Sequence, residues 1–330
     1  MIHKSLLAVF SFCLFSFAQF SHAETPADIL TADNAVTVKL KPVKVGPHSY
    51  YVQGLAGAAT AENQGFMSNA GFVVTQDGVV VFDALGSPPL GEALIKVIRS
   101  ITNQPIKRVI VSHYHADHIY GLQAFKAIGA EIWAHQRGQE YLASPVAPQR
   151  LEQRRTELFP WVNENTRLLP ADKWLSGDTE FELGKVHFLL KHVGPAHSPE
   201  DLAMLVKEDG VLYSGDLIFK GRVPYVGDAD SKMWLVALDK LLALKPRPKH
   251  LVPGHGAASS NPAADLKLTR DYLHYLRTAM GKAVKNMMSF DEAYAATSWK
   301  KYERLPAFRE ANRPNAYNTY LLMEREELGK

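Results

Sequence analysis

Apolar and polar positions alternate along the chain in strand-length and helix-length blocks, with no repeating unit. Residues 36–40, 49–52 and 72–75 read as strands, with Gly78 in the turn after the last. The run VVVF at 79–82 is apolar throughout, as a strand covered on both faces must be. The pattern then predicts a helix over 90–100, a strand at 108–111, a helix over 121–128 and a strand at 131–134. Residues 149–157 are polar and helix-prone, and read as an insertion or a surface helix. Strands resume at 180–183, 186–191, 203–206 and 211–213, followed by an amphipathic helix over 232–244 and a short strand at 250–252. Asn261 before Pro262 suits an N-cap and first helical turn. Beyond it Leu266, Thr269, Tyr272, Leu273, Leu276, Met280 and Val284 mark one face of a long helix, with Met287 and Met288 expected to pack in the core at its end. Two blocks of strands, each interrupted by helices, predict an α/β (α+β) fold. Its expected form is a four-layer αββα sandwich of two mixed β-sheets with helices outside. No linker divides residues 24–330, so one domain is expected, with a helical extension from about 262 to 330.

Residues 1–23 stand apart from this pattern. Lys4 precedes an apolar stretch over 6–20, and Ser21-His22-Ala23 forms a small-x-small cleavage site, the pattern of a secretory signal peptide removed after Ala23. The apolar stretch is shorter than the roughly 18–20 residues a membrane span needs, so no stable membrane anchor is expected after cleavage. Cys13 follows Phe12 rather than a small residue, which argues against a lipid attachment site. The expected location is the periplasm or the cell exterior.

Composition sharpens this picture at three points. The 330 residues are 46% hydrophobic, enough for a sizeable core, and the formal net charge of +3 argues against a nucleic-acid partner. The single cysteine leaves with the leader, so the mature chain has neither a disulfide nor a thiolate metal site. The thirteen histidines are the unusual count. His113, His115, Asp117 and His118, in SHYHADH, follow the apolar run 109–111. His197 follows another strand in VGPAHS, Asp216 a third in YSGD, and His255 a fourth in VPGHG. Strand ends are where a rigid scaffold aims functional loop residues. Neutral imidazole and carboxylate suit zinc, iron or manganese, and seven donors exceed what one tetrahedral ion needs. Two ions roughly 3.5–4 Å apart can share them. His48, His135, His187, His192, His250 and His274 are assigned ordinary surface or core roles.

With these motifs in this order, the chain resembles the metallo-β-lactamase superfamily over about residues 36–257. SHYHADH is similar to that family's central metal motif, GPAHS to its third histidine, SGD to its bridging acid and PGHG to its last ligand. Asp83 resembles the family's early strand-terminal aspartate, which supports the metal ligands, and Asn69-Ala70-Gly71 the start of the first core hairpin. The resemblance implies one metal held by His113, His115 and His197, and a second by Asp117, His118 and His255, with Asp216 bridging or binding the second. It implies two Zn2+ ions, with iron or manganese as the other candidates. Zinc lactamases of the main subclass carry Cys where this chain has Asp216, and Asp there looks more like glyoxalase II. The segment GRVPYVGDADSKMW, with Lys220 nearby, echoes the lactamase arrangement. The chain also resembles a periplasmic branch found with sulfur-oxidation and quinoprotein systems.

The implied activity is hydrolysis of a thioester, ester or lactam-type carbonyl in a small-molecule substrate by a metal-bound hydroxide. Asp117 would orient that hydroxide and pass a proton to the leaving group. Asn69, Lys220 and Arg222 are candidate substrate contacts, and the loop 58–67, ending in Phe66 and Met67, a candidate flap. A zinc β-lactamase, an iron-dependent persulfide dioxygenase-like oxidoreductase and a non-catalytic periplasmic metal-binding accessory protein are the alternatives. The sequence leaves the oligomeric state open.

Overall fold

Period-two alternation within the strands sorts the apolar side chains into separate cores. The computed structural model describes residues 34–227 and 229–329; the leader expected at 1–23 lies outside the described residues. The first sheet holds β1 (Pro42–Lys44), β2 (Ser49–Val52), β3 (Ala70–Val74), β4 (Val79–Phe82), β5 (Ile106–Ile110), β6 (Glu131–His135) and β7 (Lys173–Leu175), in that order. Neighbours from β1 to β4 are antiparallel, and those from β4 to β7 parallel. Parallel neighbours need crossovers. These contain α1 (Pro88–Ile101), α2 (Ala116–Ile119), α3 (Leu122–Ala127), α4 (Gly138–Ala143) and α5 (Val146–Glu157). The second sheet holds β8 (Thr179–Leu183), β9 (Val186–His192), β10 (Leu202–Val206), β11 (Val211–Tyr213) and β12 (His250–Val252), in the order β12-β11-β10-β9-β8. Only the pair β11 and β12 in that sheet is parallel, and α6 (Ser231–Leu242) lies in its crossover. Then come α7 (Pro262–Lys285), α8 (Phe290–Ala296) and α9 (Phe308–Glu327).

In β4, Val79 and Val81 face a core with Leu90, Leu94 and Ile98 of α1, while Val80 and Phe82 face the other sheet. In β10, Leu202, Met204 and Val206 meet Val80 and Phe82, and Ala203 and Leu205 turn to a third core under Trp234 of α6 and Leu273 of α7. Three cores separate four layers, so the sandwich predicted from the sequence is the architecture observed. No helix among the described residues is long and apolar enough to cross a membrane.

The departures from the predicted elements have local causes. Residues 36–40 form no strand, because the Thr37 and Val38 amides donate to Gln64 Oε1 at 2.7 and 3.2 Å; the first strand begins at Pro42 instead. The elements α2, α4 and β7 are too short to carry a readable period. Met287 is not in the core: it is 93% exposed, just past the C-cap Asn286 of α7, where a positive φ of 54° turns the chain outward. Met288, the next residue, packs partly against the third core.

Candidate metal centre

Each motif residue predicted to hold metal sits just beyond a strand of this sandwich. The chain leaving β5 carries His113 and His115 into α2, whose first turns present Asp117 and His118. His197 lies between β9 and β10, Asp216 in a short 3-10 helix (Gly215–Leu217) after β11, and His255 just after β12. Gly254 lets the last two segments meet. A Cβ there would stand 2.1 Å from Asp216 Oδ1, so any side chain would displace that carboxylate.

The donor atoms converge in two groups, His113, His115, His197 and Asp216 in one, and Asp117, His118 and His255 in the other. His115 Nδ1 lies 3.0 Å from His113 Nε2 and 2.9 Å from His197 Nε2. Asp216 Oδ2 is 3.9 and 3.5 Å from the Nε2 atoms of His113 and His197. Its other oxygen, Oδ1, is 3.2 Å from Nε2 of both His118 and His255, and Asp117 Oδ2 is 3.4 Å from the same two nitrogens. Asp216 thus turns one oxygen to each group. For metal–nitrogen bonds of about 2.0–2.1 Å, tetrahedral ligand atoms stand about 3.3–3.4 Å apart, in the middle of these distances.

The outer atoms of the rings fix which nitrogen faces inward. His118 Nδ1 donates to Asp83 Oδ2 at 2.8 Å, His197 Nδ1 to the Tyr225 carbonyl at 3.0 Å and His255 Nδ1 to the Met67 carbonyl at 2.8 Å. His113 Nδ1 donates to Ser112 Oγ at 2.9 Å, and that hydroxyl donates to Asp83 Oδ2 at 2.8 Å. With Nδ1 protonated outward, Nε2 presents its lone pair to the centre; such backing is how metal-bound histidines are oriented. Asp117 Oδ2, His118 Nε2 and Asp216 Oδ1 are buried without a hydrogen-bond partner. Inward lone pairs, unpartnered buried acceptors and tetrahedral spacing together fit divalent cations.

The electrostatics agree. Burial pushes His113 well below the usual imidazole range, His115 down to about 4 and His197 down to about 3, keeping these rings in the neutral form that ligates. Burial also opposes charge on His118, but Asp216, Asp117 and Asp83 outweigh it and raise that ring well above the usual range; His255 is raised against burial too, chiefly by Asp216. Asp216 and Asp117 stay well below the carboxylate range because the neighbouring histidines outweigh burial. The second group is therefore a place where the fold favours positive charge.

A cavity of about 410 Å³ opens over these groups, and His115, Asp117, His197, Asp216 and His255 form its floor. Arg222 lines it, with its guanidinium donating to the Gly57 carbonyl at 2.7 Å. Two predicted substrate contacts lie elsewhere. Lys220 pairs with Asp265 of α7 at 2.6 Å and does not line the cavity. Asn69 is buried, with Oδ1 accepting from the Gly54 amide and Nδ2 donating to the Pro253 and Gly256 carbonyls, so it braces the loop carrying His255. Asp83 stands behind His118 and Ser112, as the resemblance implies. Of the expected flap, Ala58, Ala59 and Met67 line the cavity, while Phe66 is buried in the first core. Asn63 holds that loop through bonds to Thr60, Gly65 and Ala58.

Sequence reasoning missed the supports that are not motif residues. Asn315 of α9 donates to the Pro224 carbonyl at 2.7 Å and accepts from the Val226 amide at 2.8 Å, clamping the segment whose Tyr225 carbonyl orients His197. The Tyr225 and Met67 acceptors are backbone atoms, which leave no trace in residue type. Asn315 is one asparagine in a polar helix, and no local pattern marks it.

A sequence model of the Metallo-beta-lactamase superfamily matches residues 63–255. The linear primary-alkylsulfatase of Pseudomonas sp. (strain ATCC 19151) is 26% identical over 253 residues, 66% of this chain and 47% of that protein; this chain thus spans about half of that relative's length. A probable metallo-hydrolase of Bacillus subtilis (strain 168) is 26% identical over 63% of this chain and 92% of its own. Among solved structures, the metallo-beta-lactamase from Pontibacter korlensis superposes with a TM-score of 0.56 at 21% identity, over 72% of this chain and 99% of its own. A double mutant of the sec-alkyl sulfatase PisA1 gives 0.62 at 17% identity, over 88% of this chain and 50% of its own. These structural likenesses are of fold.

Proposed function

The chain belongs to the metallo-β-lactamase superfamily, and on that premise we propose that it is a metal-dependent hydrolase of small molecules with a two-ion centre. The observation that carries this reading is the convergence of seven side chains, in two groups sharing Asp216, on the floor of one cavity. His113, His115 and His197 would hold one ion, Asp117, His118 and His255 the other, with zinc the first candidate and iron or manganese suited by the same donors. Bound there, such ions supply Lewis acidity and a water acidic enough to be a nucleophile near neutral pH.

The chain's own groups supply the rest. Asp117 lines the cavity; with Oδ2 turned to the second group, its other carboxylate oxygen would orient the attacking water and relay a proton to the leaving sulfur, nitrogen or oxygen atom. Arg222, buried beside His255, places a positive charge next to the reacting group. The bond cleaved is proposed to be a thioester, ester or lactam carbonyl. The Pseudomonas alkylsulfatase favours a sulfate ester as the second reading, since Arg222 suits either oxyanion.

The test is a panel of a thioester, a phenyl ester, nitrocefin and an alkyl sulfate with zinc-loaded protein. Turnover of at least one, lost on chelation and restored by metal, is expected. Metal-independent turnover, or none from fully loaded protein, overturns the reading, the latter in favour of an accessory protein. Oxygen consumption by iron-loaded protein would favour the oxidoreductase instead. Export belongs to the same proposal and rests on residues 1–23: the purified protein should begin at Glu24, and a start at Met1 would contradict it. Residues 24–330 are read as one domain whose helical end takes part in the centre through Asn315.

A further inference from the structure

The helix α5 has more to do than a surface helix would. Ala147 and Leu151 are buried and fix one face against the body of the protein. That leaves Val146, Arg150 and Arg154, four residues apart, as one stripe along the cavity wall. The other arginines of this helix are occupied: Arg154 pairs with Glu157 at 2.6 Å, and Arg155 pairs with Glu152 at 2.8 Å and donates to the Asn163 and Thr166 carbonyls. Arg150 is half-buried in the wall, yet among the described residues it has no hydrogen bond or ion pair. None of the glutamates in the lining pairs with it: Glu140 is held by both guanidinium arms of Arg137 at 2.8 and 3.0 Å, Glu200 Oε1 accepts from the Tyr114 amide at 3.0 Å while its Oε2 is buried without a partner, and Glu310 makes no ion pair with Arg150.

A guanidinium is always charged, and one half withdrawn from water without an acceptor is compensated when an anion reaches it. The cavity that Arg150 lines also has apolar and aromatic wall residues, Val146, Tyr141, Phe219 and Tyr225, alongside the charged Glu140, Glu200 and Glu310. The cavity volume, about 410 Å³, is within the range for small-molecule sites.

We propose that Arg150 is a specificity-determining residue that receives the anionic group of the substrate, selecting organic anions with an apolar body. This deepens the hydrolase reading and rests on it for the word substrate. Carboxylate and sulfate share the chemistry Arg150 recognises, and the bidentate fork of arginine fits both.

The experiment titrates zinc-loaded full-length protein with octanoate, octyl sulfate and the uncharged octanol, measuring binding rather than turnover. Both anions, or one of them, should bind the wild type more tightly than octanol; which one binds better names the preferred head group. Arg150→Gln should weaken anion binding about tenfold or more while leaving octanol unchanged, and Arg150→Lys should recover part of the loss. Arg155→Gln should leave all three unchanged, and equal zinc content shows that the variants fold. Anion binding unaltered in Arg150→Gln, or an equal loss for octanol, overturns the proposal. If the anion preference holds while no substrate in the hydrolase panel turns over, Arg150 remains an anion receptor and the hydrolase reading alone falls.

Discussion

The floor of the cavity and its walls are assembled differently. The floor comes from short segments at the ends of β5, β9, β11 and β12, each with a histidine or aspartate beside residues that turn the chain tightly. The walls come from α4, α5, the loop before β3 and the start of α9, elements with no common motif. In the floor one substitution should break chemistry because the ligands share atoms: Asp216 faces both groups. In the walls a substitution should change what is bound while the floor persists. A family can keep such a floor while its walls, and so its substrates, change.

The sharpest way to break this division is to disturb the floor without touching a ligand. Gly254→Ala should displace Asp216 and cost more than the tenfold to hundredfold in metal affinity or activity that outer supports typically carry. Full metal binding in that variant, measured by metal analysis, would show that the close approach is not needed. Next in size come the supports. Asp83→Asn, which removes the charge behind His118, should lower metal affinity about tenfold to hundredfold. Asn315→Ala tests whether the C-terminal helices serve the floor. It should weaken metal binding about tenfold through Tyr225 and His197. It should also destabilise the fold by about 1–3 kcal/mol, because the buried Val226 amide loses its acceptor.

A smaller effect is the pH response of chelated protein. His115 and His197 stay neutral in the fold down to about 4 and 3, whereas unfolded histidines take protons near pH 6.5. The unfolded chain therefore binds more protons between these limits, and stability falls as pH drops from about 6.5 towards 4. His118 and His255 are raised, so their contribution is present below about 6.5 and is lost as pH rises through their folded values. Melting temperature should peak near pH 6.5, and one that rises steadily from 6.5 down to 4 would contradict this balance. The smallest effect on function is expected from Lys220→Ala, with turnover unchanged, although the buried Asp265 carboxylate left without its partner should cost about 1–3 kcal/mol of stability.

The same division explains what could be read from the chain alone. The floor was legible because its ligands crowd into H-x-H-x-D-H and three glycine-flanked loops, each after an apolar run that names its strand. The layers were legible from strands such as VVVF and LAMLV, buried throughout. The wall was not. Arg150 is one arginine in a polar helix, and its role depends on Ala147 and Leu151 fixing that helix's rotation. Lys220 lies close to the motifs in sequence, but Asp265, a residue of a later helix, takes its charge. Asn69 reads as a substrate contact in the sequence, but it does not line the cavity; its amide is spent on backbone carbonyls, a commitment residue type does not reveal.

The measurement that tests the central claim most directly is metal stoichiometry, taken on the wild type and on two variants, His197→Ala and His118→Ala, after equilibration with zinc and removal of the excess. Two ions per chain in the wild type, with each variant losing one or both, is the predicted result. A wild type that holds one ion or none, with both variants matching it, would contradict a shared two-ion floor.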